Sequence, residues 1–169
     1  MLPRLLRRVL RLTLAIGFLC APLMPLTAQP LQQRPGWAVH PTTKPYDQLL
    51  QDLRAAVKAE GLITVTQAGP TQAAAARGIT IPGNRVLGVF NNDYAVRVLA
   101  LSTAAMIEAP IRFYVTENVT EIANGSATLS YKEPSHVFQP YLGEGGAELL
   151  QIAAELDLRF ARIAAQALD

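Results

Sequence analysis

Two spacings of apolar residues alternate along this chain, and each spacing points to an element. Over 46–60, Tyr46, Leu49, Leu50, Leu53 and Val57 recur at helical intervals, with Asp47 in the first turn and Gly61 as the stop. Residues 62–67 alternate apolar side chains with threonine, as a strand does, and Gly69-Pro70 marks a turn before a short alanine-rich helix over 71–77. Residues 85–90, RVLGVF, are apolar on both faces and predict an interior strand. Asn91-Asn92-Asp93 offers N-cap chemistry to a helix expected over 94–107, with Ala95, Val98, Leu99, Ser102 and Met106 on one side and Pro110 beyond its end. Residues 111–116 and 126–131 alternate again and should pair as an antiparallel hairpin around Asn124-Gly125. A loop or single turn over 134–140 leads to a long helix from about Ala147, whose buried stripe is Leu149, Ile152, Ala153, Leu156, Phe160, Ile163 and Ala164. Residues 29–45, rich in Gln, Pro and Thr, read as a flexible lead-in containing a possible first strand at 36–40. The mixture of helices and strands over 46–169 predicts a single α+β domain.

The first 28 residues follow neither spacing. Arg4, Arg7, Arg8 and Arg11 precede an apolar run from Leu12 to Leu26, and Ala28 supplies a small residue at a cleavage position. The run of about 15 residues suits a secretory signal, whereas a spanning helix wants about 20. Pro22 and Pro25 interrupt it further. Cleavage before Gln29 is expected, giving a periplasmic or secreted protein with no stable membrane insertion. An uncleaved anchor is the lesser reading, as is the twin-arginine route for Arg7-Arg8, because Leu6 replaces the usual polar residue before the pair.

Removing the leader reverses the charge. Four of the 15 basic residues and none of the 13 acidic ones lie in it, so the remaining chain carries 11 basic against 13 acidic residues, a formal charge of −2. The basic footprint of a nucleic-acid binder is absent, and no nucleic-acid partner is expected. Cys20, the only cysteine, also leaves with the leader. The mature domain therefore lacks disulfides, thiolate nucleophiles and cysteine metal ligands.

Candidate chemistry is sparse. His40 and His136 are the only histidines, without HxH or HExxH spacing, so no metal site is expected. No GxSxG elbow is present, and Ser135-His136 is merely adjacent in sequence. Gly143-Glu144-Gly145-Gly146 precedes the last helix, but Glu144 and Glu148 would repel an anion there. The strongest polar gathering is Asn91, Asn92 and Asp93 at a strand-to-helix junction, where a polar ligand could bind and where capping explains the same residues. Arg112, Tyr114, Tyr131 and Glu133 are expected on the outer face of the hairpin. His136 follows that hairpin at a sheet edge. The ligand-binding candidates are thus Asn91, Asn92, Asp93, Arg112, Tyr131 and His136.

The segment VLGVFNNDYAVRVLALSTAAMIEAPIRFYVTE, followed by ATLSYKEP, resembles the uncharacterised family catalogued as domain of unknown function 302. The matching positions are Gly61, Phe90, Asn91, Ala109, Pro110, Arg112, Tyr131 and Pro134, within a resemblance covering roughly 46–169. Asn92-Asp93 stands where the family often has Asn-Pro. The resemblance implies a TATA-binding-protein-like fold, a curved antiparallel sheet with helices packed on one side, and a homodimer. It implies no agreed activity and no cofactor.

The first functional reading is an exported, dimeric binding or interaction module for a small ligand or a periplasmic protein. The sequence leans away from an enzyme. The alternative is a small periplasmic enzyme using Asp93, Tyr131 and His136 as acid–base groups, and a weaker third is a metal or haem accessory protein using His136.

Overall fold

The computed structural model describes residues 31–119 and 125–169, so the expected leader and its cleavage site lie outside it. Five strands form one antiparallel sheet: β1 (Trp37–Pro45), β2 (Ile63–Ala68), β3 (Asn84–Phe90), β4 (Ile111–Glu117) and β5 (Ser126–Lys132), in the order β1-β5-β4-β3-β2. The helices α1 (Tyr46–Ala59), α3 (Asn92–Leu101) and α5 (Leu142–Leu168) pack on one side of the sheet. Two short helices, α2 (Thr71–Ala75) and α4 (Pro134–Phe138), lie in connections.

Cross-strand register explains why only one face is covered. Leu87 pairs with Phe113 and Phe113 with Tyr131, so these three side chains share the inner face. Val115 and Leu129 pair beside them. Leu49, Leu53 and Val57 of α1 and Leu149, Ile152, Phe160 and Ile163 of α5 cover this face, and all are buried. Phe113 and Phe160 stack with ring centres 4.5 Å apart, and Tyr131 meets both rings edge-on. Burial of this aromatic and aliphatic surface is the main stabilising term.

The antiparallel pairing of β4 with β5, the helix α1 and the interior strand β3 agree with expectation, while Asn124 of the expected turn lies outside the described residues. The first strand runs longer than 36–40, because β1 pairs with β5 from Trp37 onward and reaches Pro45 across a register shift. Pro41 and Pro45 are tolerated there because an edge strand leaves one side unpaired. The stretch 134–138, expected as a loop or single turn, is a short helix with proline in its first turn.

Two helices depart from simple periodicity in different ways. The helix expected over 94–107 stops at Leu101. Ser102 turns extended, and its Oγ accepts a hydrogen bond from Ala105 N at 3.0 Å, which starts a separate 3-10 turn over Ala105–Glu108. Ser102 Oγ also donates to Glu144. Leu99, expected on the inner side, is half exposed at 50%, because only Val98 of α3 faces fully inward. The run Leu142–Leu168 breaks at Gly146, where φ is +57° and ψ is −149°. Glycine alone adopts that conformation cheaply. The long continuous helix therefore starts at Ala147, as the sequence predicts, and every residue of its expected stripe is buried.

Candidate functional site

The helices leave the other sheet face uncovered, and register assigns its residues row by row. In the first row, Trp37 of β1 pairs with Lys132 of β5, and Arg112 of β4 pairs with Gly88 of β3, which pairs with Thr66 of β2. The pairing of Phe113 with Tyr131 sets Arg112 directly opposite Lys132 one step along. The second row is Val39, Ser130, Tyr114, Val86 and Ala68. Asn84 and Thr116 pair in the third, where Asn84 Nδ2 donates to the Tyr114 hydroxyl at 2.5 Å.

A hollow of about 480 Å³ opens on this face. Trp37, Val86, Arg112, Tyr114 and Lys132 line it from the strands, and Glu108, Ile111 and Val137 also border it. Its volume falls within the range of about 300–1,000 Å³ typical of small-molecule sites. A second, apolar space under α3, lined by Leu62, Val98, Phe138 and Phe160 among others, holds only about 40 Å³. The larger of these two spaces lies on the sheet face. Gly88 keeps the middle of the first row low, since a Cβ there would run into Thr66 Oγ1 and come within 2.7 Å of the Pro110 ring.

The hollow is lined by two cations and one carboxylate. Arg112 and Lys132 are exposed and stand side by side, and neither forms an ion pair among the described residues. Lys132 Nζ lies 5.8 Å from the centre of the Trp37 ring, and the Arg34 guanidinium lies 5.7 Å from it. The one carboxylate lining the hollow, Glu108, accepts a hydrogen bond from the Tyr141 hydroxyl at 2.8 Å. That bond, more than burial, holds the Tyr141 phenol above its ordinary pKa.

The sequence candidates separate into three places. Arg112 lies on the open face. Asn91 is the N-cap of α3: its Oδ1 accepts from Asp93 N at 2.9 Å and Tyr94 N at 3.2 Å, and its Nδ2 donates to Gly61 O at 3.0 Å. Its polar atoms are thus spent on joining α3 to the turn after α1, while Asn92 and Asp93 are exposed beside it.

Tyr131 is a correction to the expected outer-face set. Its partner is Phe113, so it faces inward, packs against Phe160 and only edges the hollow. Burial first, then Glu133 and Asp157, raise its phenol pKa. Glu133 is likewise not a strand residue but the exposed N-cap position of α4. His136 is exposed, and its ring packs directly over Gly36.

No hydrogen bond or ion pair joins Asp93, Tyr131 and His136, and no group of three or more metal-ligating side chains occurs among the described residues. His40 pairs with Leu129 and faces inward beside the Tyr131 ring, where its Nε2 is buried without a hydrogen-bond partner among the described residues and burial lowers its pKa. Trp37, Asn84, Val86 and Lys132 were absent from the sequence candidates. Counting by twos from Arg112 and across the hairpin would have found Lys132, but β1 and β3 join the face only through non-local pairing.

No curated protein matches the chain. A crystal structure of an uncharacterized conserved DUF302 protein from Bacillus stearothermophilus superposes with a TM-score of 0.66 at 19% identity, covering 78% of this chain and 98% of that one, which shows a shared fold. The family model described as domain of unknown function DUF302 matches residues 38–167, and the chain belongs to that family.

Proposed function

We propose that the protein is an exported binding module that takes a small molecule on the uncovered face of its sheet and acts as a homodimer. The observation that carries this reading is the hollow of about 480 Å³ lined by Trp37, Val86, Arg112, Tyr114 and Lys132. It joins apolar walls to a few convergent polar groups, the usual make-up of a ligand site. Export is supported by the arginine-rich, apolar start of the chain. Self-association is supported by the family resemblance and by exposed apolar side chains on the helix side, Val96, Leu99 and Ile107. The enzyme reading gains nothing from Asp93, Tyr131 and His136, which no hydrogen bond connects.

The test is native mass spectrometry of protein purified from its own periplasm. A dimer carrying a small non-covalent adduct is expected, with the adduct missing from Val86→Phe, which fills the hollow without adding charge. An adduct retained by Val86→Phe would place the ligand elsewhere, and an adduct-free monomer would remove the reading.

A further inference from the structure

Resting on the reading of the open face as a binding site, we infer that its ligand is a small amphipathic anion, an acidic headgroup on an apolar body. The headgroup would sit between Arg112 and Lys132. Like charges directly opposite one another across a sheet are destabilising. Here Arg112 and Lys132 stand opposite, exposed, with no carboxylate bonded to either among the described residues. Arg34, without an ion pair among the described residues, adds a third cation over Trp37. The local sign opposes that of the chain beyond residue 28, which has 11 basic against 13 acidic residues.

An anion between the two cations turns their repulsion into two charge-assisted contacts, and the guanidinium fork suits a carboxylate, sulfonate or phosphate equally. Glu108, which also lines the hollow, accepts a hydrogen bond from Tyr141 and forms no ion pair with Arg112 or Lys132 among the described residues. Beyond the headgroup the surface changes character. Val86 and Tyr114 form the next row, an apolar bed for the body of the ligand. A bare inorganic anion would leave that bed wet.

Trp37 is the only tryptophan in the chain, so its emission reports on this site alone. The probes are anilinonaphthalenesulfonate, an aromatic anion, and N-phenylnaphthylamine, a neutral molecule of similar shape, titrated into the full-length processed protein. The anionic dye is expected to saturate, to alter Trp37 emission and to weaken as salt rises. The double variant Arg112→Gln, Lys132→Gln should bind it about tenfold or more weakly, with unchanged circular dichroism, because both side chains are exposed and fill no core space. Equal affinity for the neutral dye, or no loss in the double variant, would overturn the anion inference while leaving the site reading intact, provided Val86→Phe still abolishes binding. Dye signals that ignore Val86→Phe and vanish in Ile107→Ser would place binding on the helix side and overturn both. Absence of saturable binding by the anionic dye would also overturn the inference.

Discussion

At the scale of single residues, backbone parity decides what a side chain can do. Arg112 and Phe113 are neighbours in sequence, yet one faces the hollow and the other touches Phe160 in the core. His40 obeys the same rule: it faces inward beside Tyr131, and burial lowers its pKa from 6.5. A histidine whose folded pKa lies below its unfolded one takes up a proton on unfolding. Its contribution to stability is therefore complete above pH 6.5 and is lost as pH falls from 6.5 through the lowered folded value. We expect the free energy of unfolding to fall between pH 7 and pH 5, and His40→Leu to flatten that slope. Urea denaturation at several pH values measures it, and parallel profiles for the two proteins would refute the assignment.

At the scale of elements, α5 is where sequence and structure agree best. Its apolar stripe lies at strict helical spacing, and the surface it must meet is one broad sheet face, so local pattern and tertiary packing ask for the same residues. Phe160→Ala would empty the stack with Phe113 and Tyr131 and should cost roughly 3–5 kcal/mol. Gln166→Ala removes only an exposed hydrogen bond, from Gln166 Nε2 to Glu60 Oε1 at 3.0 Å, and should change stability by less than about 0.5 kcal/mol. Chemical denaturation of both variants checks this, and coincident midpoints would mean that α5 is not packed through Phe160. The helix α3 shows the opposite case. Its apolar positions fit a longer helix, but the Ser102 hydroxyl competes for a backbone amide and ends it, a contest that periodicity does not register.

At the scale of the whole molecule, compartment, fold and site draw on different amounts of information. We predict that the exported protein begins at or near Gln29. N-terminal sequencing of the secreted form tests this, and residues 1–28 retained in a membrane fraction would contradict it. The α+β class, the existence of every strand and helix except α4, and the stripe of α5 were legible in the chain itself. Those features depend on spacings within about 20 residues, where chain geometry alone constrains side-chain direction. Family membership was legible too, through Phe90, Asn91, Pro110, Arg112, Tyr131 and Pro134 taken as a set. The open face was not. Trp37 and Lys132 are far apart in sequence and become neighbours only when β1 pairs with β5; Val86 meets Tyr114 only when β3 pairs with β4. Tyr131 falls in phase with Ala127 and Leu129 and Arg112 out of phase with Phe113 and Val115, so strand alternation alone separates the two, and the expectation of both on the outer face overlooked it. Hydrogen-bonded register is a long-range property, and a shift of one residue exchanges the faces of a strand. The sequence therefore determined which segments would become sheet and helix, and the tertiary structure decided which side chains share the uncovered face.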